Sequence, residues 1–365
     1  MTAEMIVRAV LIGFGVAALL AALLALARKK MTETLCVIWG ASAALLVTAG
    51  LLIHPEAWGC DLNFRTLAPL ALAGVVLIFL AYHISIWASS MSRETCRTAM
   101  EDALFRFEHE GAVRPARREK QKELLVILPA YNEEKNLPVF LQKLEEARVG
   151  DIADLLVLSD GSTDGTCRVV KEMGYRCVDC VHLGYVRTLQ TGYTYAFRAG
   201  YRFVIQMDAD GQHDPCNIQA LYRALREPGE SGRLPDIVLG SRFLPGGKSF
   251  PMPWVKLFAF QLFRWVLRLA TGRQITDPTT GLQGLSASTV AYYAGEGNFD
   301  GRYPDANIIL QMLLRGYEVQ EVPAVMHERK EGQGMHSGLR PLVYMFRMAF
   351  SIFAVYIREA LLRGR

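Results

Sequence analysis

Two acidic side chains separated by one residue stand directly after an apolar run of this 365-residue sequence. Asp208 and Asp210 follow Phe203–Met207 and precede Gly211. Two carboxylates held this close repel each other unless a cation neutralises them. Hard oxygen ligands with few protein contacts suit Mg²⁺ or Mn²⁺ bound to a diphosphate. The pair therefore predicts a metal–diphosphate site, and the alternative is a solvated turn with helix-capping aspartates.

Polar segments follow three further apolar runs, and two of these segments contain glycine. The runs and the segments after them are Leu124–Leu128 with Pro129–Glu134, Leu155–Leu158 with Ser159–Gly165, and Ile237–Leu239 with Gly240–Arg242. Helical patterns lie between the runs, at Leu137–Ala147, Gly165–Glu172 and Thr188–Ala199. This alternation predicts a doubly wound α/β fold with a mostly parallel sheet, in which ligands bind beyond the carboxyl ends of the strands. No glycine-rich phosphate-binding motif follows any of the runs, so a nucleotide would be held through a metal and carboxylates.

Four of these segments, taken together, resemble family 2 glycosyltransferases of the Rossmann-like GT-A fold. The segments are Val126–Glu134, Ser159–Thr166, Met207–Pro215 and Gly240–Phe243. Within that family they are similar to the dolichol- or polyprenyl-phosphate sugar synthases. Two further segments fit the same synthases, Asp277–Leu282 and Glu328–Arg329. The resemblance covers residues 124–345, while residues 1–110 resemble, more weakly, a small three-helix membrane family.

The resemblance implies a nucleotide-sugar donor, UDP- or GDP-linked, and assigns its binding residues. The residues implied to bind the donor are Pro129, Tyr131, Glu133, Asp160, Ser162 and Asp208. Asp208 and Asp210 would bind Mg²⁺ or Mn²⁺, with Gln212 as a third protein contact. The sequence departs from the family pattern at Ser159, Gly184–Arg187 and Glu328–Ser337. These departures leave the identity of the sugar open.

The resemblance also implies a polyprenyl phosphate acceptor and inversion at the anomeric carbon of the sugar. Arg242 and Arg329 would bind the acceptor phosphate, a task that suits the forked guanidinium group. Asp277 would lie close to the transferred sugar, and Asp277 and Asp210 are the implied catalytic residues. His213, beside the acid pair, is interpreted as a capping or surface histidine.

Two further segments predict amphipathic helices at a membrane surface. Gln261–Trp265 matches the QxxRW motif of processive polysaccharide synthases, in which it follows a Thr-Glu-Asp-type acidic motif. Here it precedes Asp277 and the sequence has no such acidic motif, so the match is interpreted as coincidence. The aromatic and basic residues around it predict an interfacial helix instead. The run Pro341–Leu362 is interrupted by Arg347 and Arg358, and it predicts a second interfacial helix, with a fourth span as the alternative.

Three uncharged stretches are long enough to span a bilayer, which takes about 20 apolar residues. They are Ala9–Ala27, Thr34–Ile53 and a third within Thr66–Ser92, at residues 66–90. Basic residues follow the first and third stretches, at Arg28, Lys29, Lys30, Arg93, Arg97 and Arg106. Because basic residues favour the cytoplasmic side, the N-terminus is predicted outside and the chain after Arg93 inside the cell. A signal peptide over residues 1–27 is the alternative, and it would place the large domain outside.

The seven cysteines suit a reducing compartment, because their number is odd and they form no framework. Cys177 and Cys180 are interpreted as two ordinary thiols on or beside a strand, with a zinc site as the alternative. Hydrophobic residues make up 51% of the chain and the mean hydropathy is +0.17, which excludes a disordered protein and a small disulfide scaffold. The net charge of +4 is too small to indicate a nucleic-acid partner.

Four parts are predicted along the chain. They are a three-span membrane domain at 1–92, a charged cytoplasmic helix and linker at 93–123, a GT-A domain at 124–335 and an interfacial helix at 336–365. The predicted function is transfer of a sugar from a nucleotide donor to polyprenyl phosphate on the cytoplasmic face of a membrane. The alternatives are a non-catalytic membrane assembly or lipid-handling protein and a transferase with another lipid-linked or protein acceptor. Membrane lipid is a predicted partner, and whether the chain forms a homo-oligomer stays open.

Overall fold

The computed structural model describes residues 3–52, 64–113, 121–229, 231–249, 254–299, 304–328 and 340–363. Its helices are α1 (Ala3–Ala27), α2 (Glu33–Leu52), α3 (Phe64–Val113), α4 (Asn136–Glu146), α5 (Thr166–Glu172), α6 (Tyr185–Arg198), α7 (Cys216–Arg226), α8 (Trp254–Thr271), α9 (Ala287–Ala294), α10 (Ala306–Leu314) and α11 (Arg340–Arg363). Its strands are β1 (Leu124–Ala130), β2 (Ala153–Asp160), β3 (Arg176–Cys180), β4 (Phe203–Gln206), β5 (Ile237–Ser241), β6 (Gln283–Ser286) and β7 (Val319–Pro323). The chain folds as two compact units, Met1–Thr95 with Ala349–Arg365 and Cys96–Met348.

The first unit holds the apolar helices. Within the described residues, three helices are long and apolar enough to cross a membrane, over Met5–Ala27, Thr34–Leu52 and Leu72–His109. Glycine lets α1 and α2 approach closely, because a Cβ on Gly15 would lie only 2.7 Å from the carbonyl oxygen of Ala43. Helix α3 contacts this pair through a side-chain hydrogen bond, in which the indole of Trp39 on α2 donates to the Ser85 hydroxyl over 3.1 Å.

The second unit is built on a seven-stranded sheet with the strand order β3-β2-β1-β4-β6-β5-β7. Strand β6 runs antiparallel to its two neighbours, and the other pairings are parallel. Every residue of β1 is buried, as expected for a central strand covered by helices on both faces. The predicted α/β class and mostly parallel sheet are therefore confirmed.

The four predicted strands and three predicted helices are all present, with boundaries shifted by up to three residues. Three strands were not predicted. Strands β3 and β7 lie at the two edges of the sheet and include exposed or half-exposed polar residues, so neither forms a continuous apolar run. Strand β6 is only four residues long and contains Gly284. Both Cys177 and Cys180 lie on β3, which confirms their predicted place on a strand.

Helix α3 continues without a break beyond its apolar stretch, which confirms the predicted helical continuation. The part that belongs to the second unit contacts α6 through side chains. Glu101 accepts two hydrogen bonds from one terminal nitrogen of Arg198, over 2.6 and 2.7 Å. The ring of Phe107 meets Tyr195 edge-on, with centroids 5.5 Å apart.

Candidate active site

The loops that follow β1 and β2 are bound to each other at the carboxyl edge of the sheet. The Asn132 side chain accepts a hydrogen bond from the Thr163 backbone over 2.8 Å, and the Asn132 backbone donates to Ser162 Oγ over 3.1 Å. Asn132 has a φ of +55°, a left-handed conformation that asparagine tolerates better than most residues. In the same way, Glu134 accepts from the Gly165 backbone over 3.1 Å. These bonds give both loops a fixed conformation.

Most of the residues predicted to bind the base and ribose of the donor contribute to this loop framework. Pro129 is buried within β1. The Glu133 backbone donates to Thr166 Oγ1 over 2.9 Å, and its carboxylate accepts from Asn136 over 2.6 Å. Ser162 is bound to Asn132, as described above. Tyr131 differs from these residues, because 46% of it is exposed at the edge of the sheet.

The buried side chain of Asp160 connects the end of β2 to the segment after β3. One oxygen accepts hydrogen bonds from the backbones of Leu183 and Gly184, both over 3.0 Å. The other oxygen lies 3.1 Å from Nδ1 of His182. The imidazole of His182 in turn stacks on Tyr131, with ring centroids 4.8 Å apart. His182 was missed from sequence because it follows β3, the edge strand without an apolar run.

Tyr185, at the start of α6, holds the first acid of the predicted metal pair. Its hydroxyl donates to Asp208 Oδ1 over 2.8 Å and accepts from the amide of Gln206 over 3.0 Å. Burial raises the pKa of Tyr185 well above its ordinary value, and the neighbouring carboxylate of Asp208 adds to this, so the hydroxyl remains a donor. A Cβ on Gly281 would lie 3.0 Å from Asp208 Oδ2, so a side chain at this position would crowd the carboxylate and require it to shift slightly.

The two carboxylates fit a divalent metal that is bound mostly by substrate oxygens. Asp208 and Asp210 are partly exposed on either side of Ala209, which is buried. Asp210 Oδ1 accepts from the backbone of Gln212 over 3.0 Å. Across the residues the structure describes, no group of three or more acids, histidines or cysteines could hold a metal. Two carboxylates completed by phosphate oxygens are a usual set for Mg²⁺.

His213 is buried between the acid pair and a second charged cluster. Its ring nitrogen Nδ1 accepts from the Asp208 backbone over 3.4 Å. Burial lowers its pKa to about 4, against the influence of Asp210 and Asp277, so the ring is neutral at pH 7. The predicted surface position is wrong, because His213 forms an antiparallel bridge with Met326 that turns it inward.

The second cluster is an ion pair between Arg242, at the end of β5, and Asp277. The guanidinium donates to both carboxylate oxygens, from Nε and Nη2, over 2.7 Å each. Asp277 is fully buried and 11% of the Arg242 side chain is exposed. Glu321 on β7 supports the segment by accepting from the Asp277 backbone over 2.8 Å. Burial raises the pKa of Glu321.

Helix α8 lies beside this ion pair, and its presence confirms that the segment around Gln261–Trp265 is helical. Its buried face carries Ala259, Phe263 and Leu267, and its exposed apolar side chains are Leu257, Phe258, Leu262, Trp265 and Leu269. The guanidinium of Arg264 stacks on Phe243, 4.4 Å from the ring centroid. Arg242 lies 5.3 Å from the ring of Phe260 on the same helix. Arg329, the other predicted acceptor residue, lies outside the described residues.

The sequence and this site can be compared with known proteins. The model of Glycosyl transferase family 2 matches residues 125–291, which include both charged clusters. Polyprenol monophosphomannose synthase of Mycolicibacterium smegmatis is 29% identical, over 66% of this chain and 89% of that protein. Undecaprenyl-phosphate mannosyltransferase of Micrococcus luteus is 31% identical, over 59% of this chain and 88% of that protein. The chain belongs to glycosyltransferase family 2.

Family 2 membership makes the chain a glycosyltransferase, as the sequence predicts. Among solved structures, glucosyl-3-phosphoglycerate synthase of Mycobacterium tuberculosis is similar with a TM-score of 0.47 and 20% identity, over 64% of this chain and 80% of that one. The family 2 match begins in β1 and ends in α9, so the apolar helices α1 to α3 lie outside it.

Proposed function

We propose that this family 2 glycosyltransferase moves a sugar from a UDP- or GDP-linked donor to polyprenyl phosphate. The observation that carries the proposal is a continuous line of contacts along the carboxyl edge of the sheet. It joins the Tyr131–His182 stack through Asp160 to Tyr185 and Asp208. His213 continues the line, because it is bound to the Asp208 backbone and lies in the field of Arg242 and Asp277.

The donor end of this line is the Tyr131–His182 stack. Tyr131 offers an exposed aromatic face on which a nucleotide base can stack. Asp160 fixes His182 against that face, and it also holds the backbone of Gly184 before α6. The buried residues Pro129 and Glu133, together with the half-buried Ser162, keep the loops around the base in place. The choice between uracil and guanine would be made here.

The middle of the line would hold Mg²⁺ or Mn²⁺. Asp208 and Asp210 would bind the metal, with Gln212 as a third contact, and the donor diphosphate would supply further oxygens. When bound, the metal stabilises negative charge that develops on the leaving diphosphate. Tyr185 and Gly281 determine the position of the Asp208 carboxylate. Asp210 is positioned by the backbone of Gln212.

The acceptor end is the Arg242–Asp277 pair. A phosphate monoester has a second pKa of about 6, so it is mostly a dianion at neutral pH and does not need a strong general base. Asp277 therefore orients the sugar and the phosphate rather than removing a proton. Arg242, with Arg329, would hold the phosphate for in-line attack on the anomeric carbon, with inversion.

The apolar helices supply the place where a lipid acceptor resides. We propose that α1, α2 and the apolar part of α3 span the membrane with the N-terminus outside, and that residues 93–365 are cytoplasmic. Helices α8 and α11 would lie at the lipid surface; the exposed Trp265 and Phe258 of α8 support this. The division at 1–92, 93–123, 124–335 and 336–365 belongs to this proposal.

The full-length protein, purified in detergent, tests the proposal when it is incubated with a panel of radiolabelled nucleotide sugars, Mg²⁺ and polyprenyl phosphate. We expect label from one donor in the lipid extract, loss of transfer with EDTA and its recovery with Mg²⁺ or Mn²⁺. Asp208→Ala should abolish transfer, whereas Asp179→Ala, an exposed acid on β3, should retain it. Donor binding without transfer to any acceptor would favour a non-catalytic protein. Label in a glycan or protein instead would contradict the polyprenyl phosphate acceptor.

A further inference from the structure

Arg264 is a cation with unused hydrogen-bond donors at the acceptor end of the site. Its Nε and Nη2 atoms are buried, and neither has a hydrogen-bond partner among the residues that the structure describes. The residue as a whole is half-buried rather than fully enclosed. A buried donor without a partner destabilises the folded protein, and it does so more strongly where the group is charged. The guanidinium is therefore in a position that an anion would stabilise.

The two acids whose charges act on Arg264 already accept hydrogen bonds from other groups. Both oxygens of Asp277 accept from Arg242. Both oxygens of Glu321 accept from the backbone of residues 276 and 277. Burial lowers the pKa of Arg264, with Asp277 and Glu321 acting in the opposite direction and Arg242 repelling it. Arg264 thus lies in the field of both acids without a hydrogen bond to either.

Arg242, in contrast to Arg264, has hydrogen-bond partners for its Nε and Nη2 atoms. Its Nε and Nη2 atoms bind Asp277, and Nη2 also lies 3.3 Å from the Thr279 hydroxyl. The ring of Phe243 lies within 5.6 Å of the Arg242 guanidinium and 4.4 Å of that of Arg264. The two arginines therefore flank one aromatic side chain. Most of the hydrogen bonds that Arg242 donates go to groups of the protein itself.

We propose that Arg264 also binds the acceptor phosphate directly, beside Arg242, whose Nε and Nη2 atoms position Asp277 as well. The ligand chemistry is a phosphate monoester dianion, for which the forked guanidinium is suited. An apolar chain on that phosphate fits the same helix, because Leu257 lies two turns before Arg264 on the same side and is 45% exposed. This inference rests on the proposed function for the identity of the acceptor, but the anion site itself does not.

The kinetic test uses the full-length protein in detergent with farnesyl phosphate as acceptor. Arg264→Gln should raise the KM for farnesyl phosphate by at least about tenfold, the loss expected for a hydrogen bond to a charged group, and leave the KM for the donor unchanged. Arg264→Lys should recover part of the affinity, because it restores the charge without the fork. Arg268→Gln removes an exposed arginine one turn further along α8 and should behave like the wild type.

Two kinetic results would overturn the inference. If Arg264→Gln raises the KM for the donor and leaves that for farnesyl phosphate unchanged, the guanidinium binds the donor diphosphate. If neither KM changes in a variant with a wild-type thermal midpoint, Arg264 has no role in binding. Should Arg264→Gln fail to fold, the comparison between Arg264→Lys and the wild type decides in the same way.

A binding test separates this inference from the proposed function. Calorimetry with farnesyl phosphate and with farnesol, without any donor, needs no transfer. Weaker binding of the phosphate to Arg264→Gln, with farnesol unaffected, supports the anion site even if the wild type transfers no sugar to a lipid. Equal binding of farnesyl phosphate by wild type and variant, or no binding by either, contradicts it.

Discussion

Asp208 is positioned by side chains that lie far from it in sequence. Tyr185 donates to one of its oxygens, Gln206 donates to Tyr185, and Tyr193 donates to Gln206. This relay lies between α6 and β4, so the packing of a helix on the sheet determines where the carboxylate points. Partners of metal-binding carboxylates of this kind tune metal affinity by orienting the ligand.

Tyr185→Phe removes the hydroxyl while it retains the ring. We expect Mn²⁺ to bind about 10–100-fold more weakly, the usual loss when such a partner is removed. Electron paramagnetic resonance of a Mn²⁺ titration in the presence of UDP or GDP measures this without turnover. Tyr222→Phe, on α7 at the ring of Phe203, is the control and should titrate like the wild type. A Tyr185→Phe titration that overlays the wild type would refute the role.

Asp277→Ala tests the ion pair at the acceptor end. It leaves Arg242, which is largely buried, without its partner, and removal of one member of a buried pair costs about 3–5 kcal/mol. Glu318→Ala is the matched control, because Glu318 pairs with Arg273 over the same 2.7 Å but 47% of the Arg273 side chain is exposed. The control should cost below about 1 kcal/mol. Chemical denaturation of the full chain in detergent measures both, and equal losses would contradict the structural role of Asp277.

At the scale of elements, helix α3 serves two different environments. Its N-terminal part is apolar and belongs to the first unit, whereas Cys96–Val113 belongs to the second. In that second part the buried residues Met100, Ala103 and Leu104 recur at helical spacing, and exposed charged residues lie between them. The segment is thus an amphipathic helix that packs on the catalytic unit through Glu101 and Phe107.

Neighbouring residues of α3 offer a sharp test of this packing. Leu104 is fully buried and Phe105 is 59% exposed. We expect Leu104→Ala to reduce stability by about 2–5 kcal/mol, because it removes buried apolar volume. Phe105→Ala, although it deletes a larger side chain, should stay within about 0.5 kcal/mol. Thermal midpoints of the full-length protein in detergent compare the two, and similar midpoints would show that this part of α3 is not packed.

At the scale of the whole molecule, the proposed orientation in the membrane determines on which side the catalytic unit lies. The proposal places the segment between the second and third spans outside the cell and the catalytic unit inside. Two native cysteines mark these places, Cys60 in the first segment and the exposed Cys216 at the start of α7. A lipid acceptor on the cytoplasmic leaflet requires that the two lie on opposite sides.

Single-cysteine variants that retain either Cys60 or Cys216 test the orientation. In inverted membrane vesicles, a maleimide that does not cross membranes should label Cys216 and leave Cys60 unlabelled. Burial raises the pKa of Cys216 to about 11, so the reaction is run at alkaline pH. Both variants should react after detergent is added. Labelling of Cys60 alone in inverted vesicles would place the catalytic unit outside the cell. Labelling of both cysteines would show that they lie on the same side, and so that the third stretch does not cross the membrane as proposed.

The sequence by itself determined the features that local patterns encode. Four apolar runs predicted the strands β1, β2, β4 and β5, and their polar tails predicted the edge of the sheet at which the charged residues lie. Uncharged stretches predicted the three apolar helices by length alone. The acid pair needed no structure either, because Asp208 and Asp210 are two residues apart.

Only the tertiary structure decided which side chains meet. Arg242 and Asp277 are 35 positions apart, and they pair because β6 inserts between β4 and β5 and Asp277 lies in the segment before it. His182 reaches Asp160 because β3 lies beside β2, an edge position that leaves no apolar run in the sequence. The packing of α8 likewise brings Arg264 onto Phe243. Strand order and helix packing arise from contacts across the chain, so the spacing of residue types cannot reveal them.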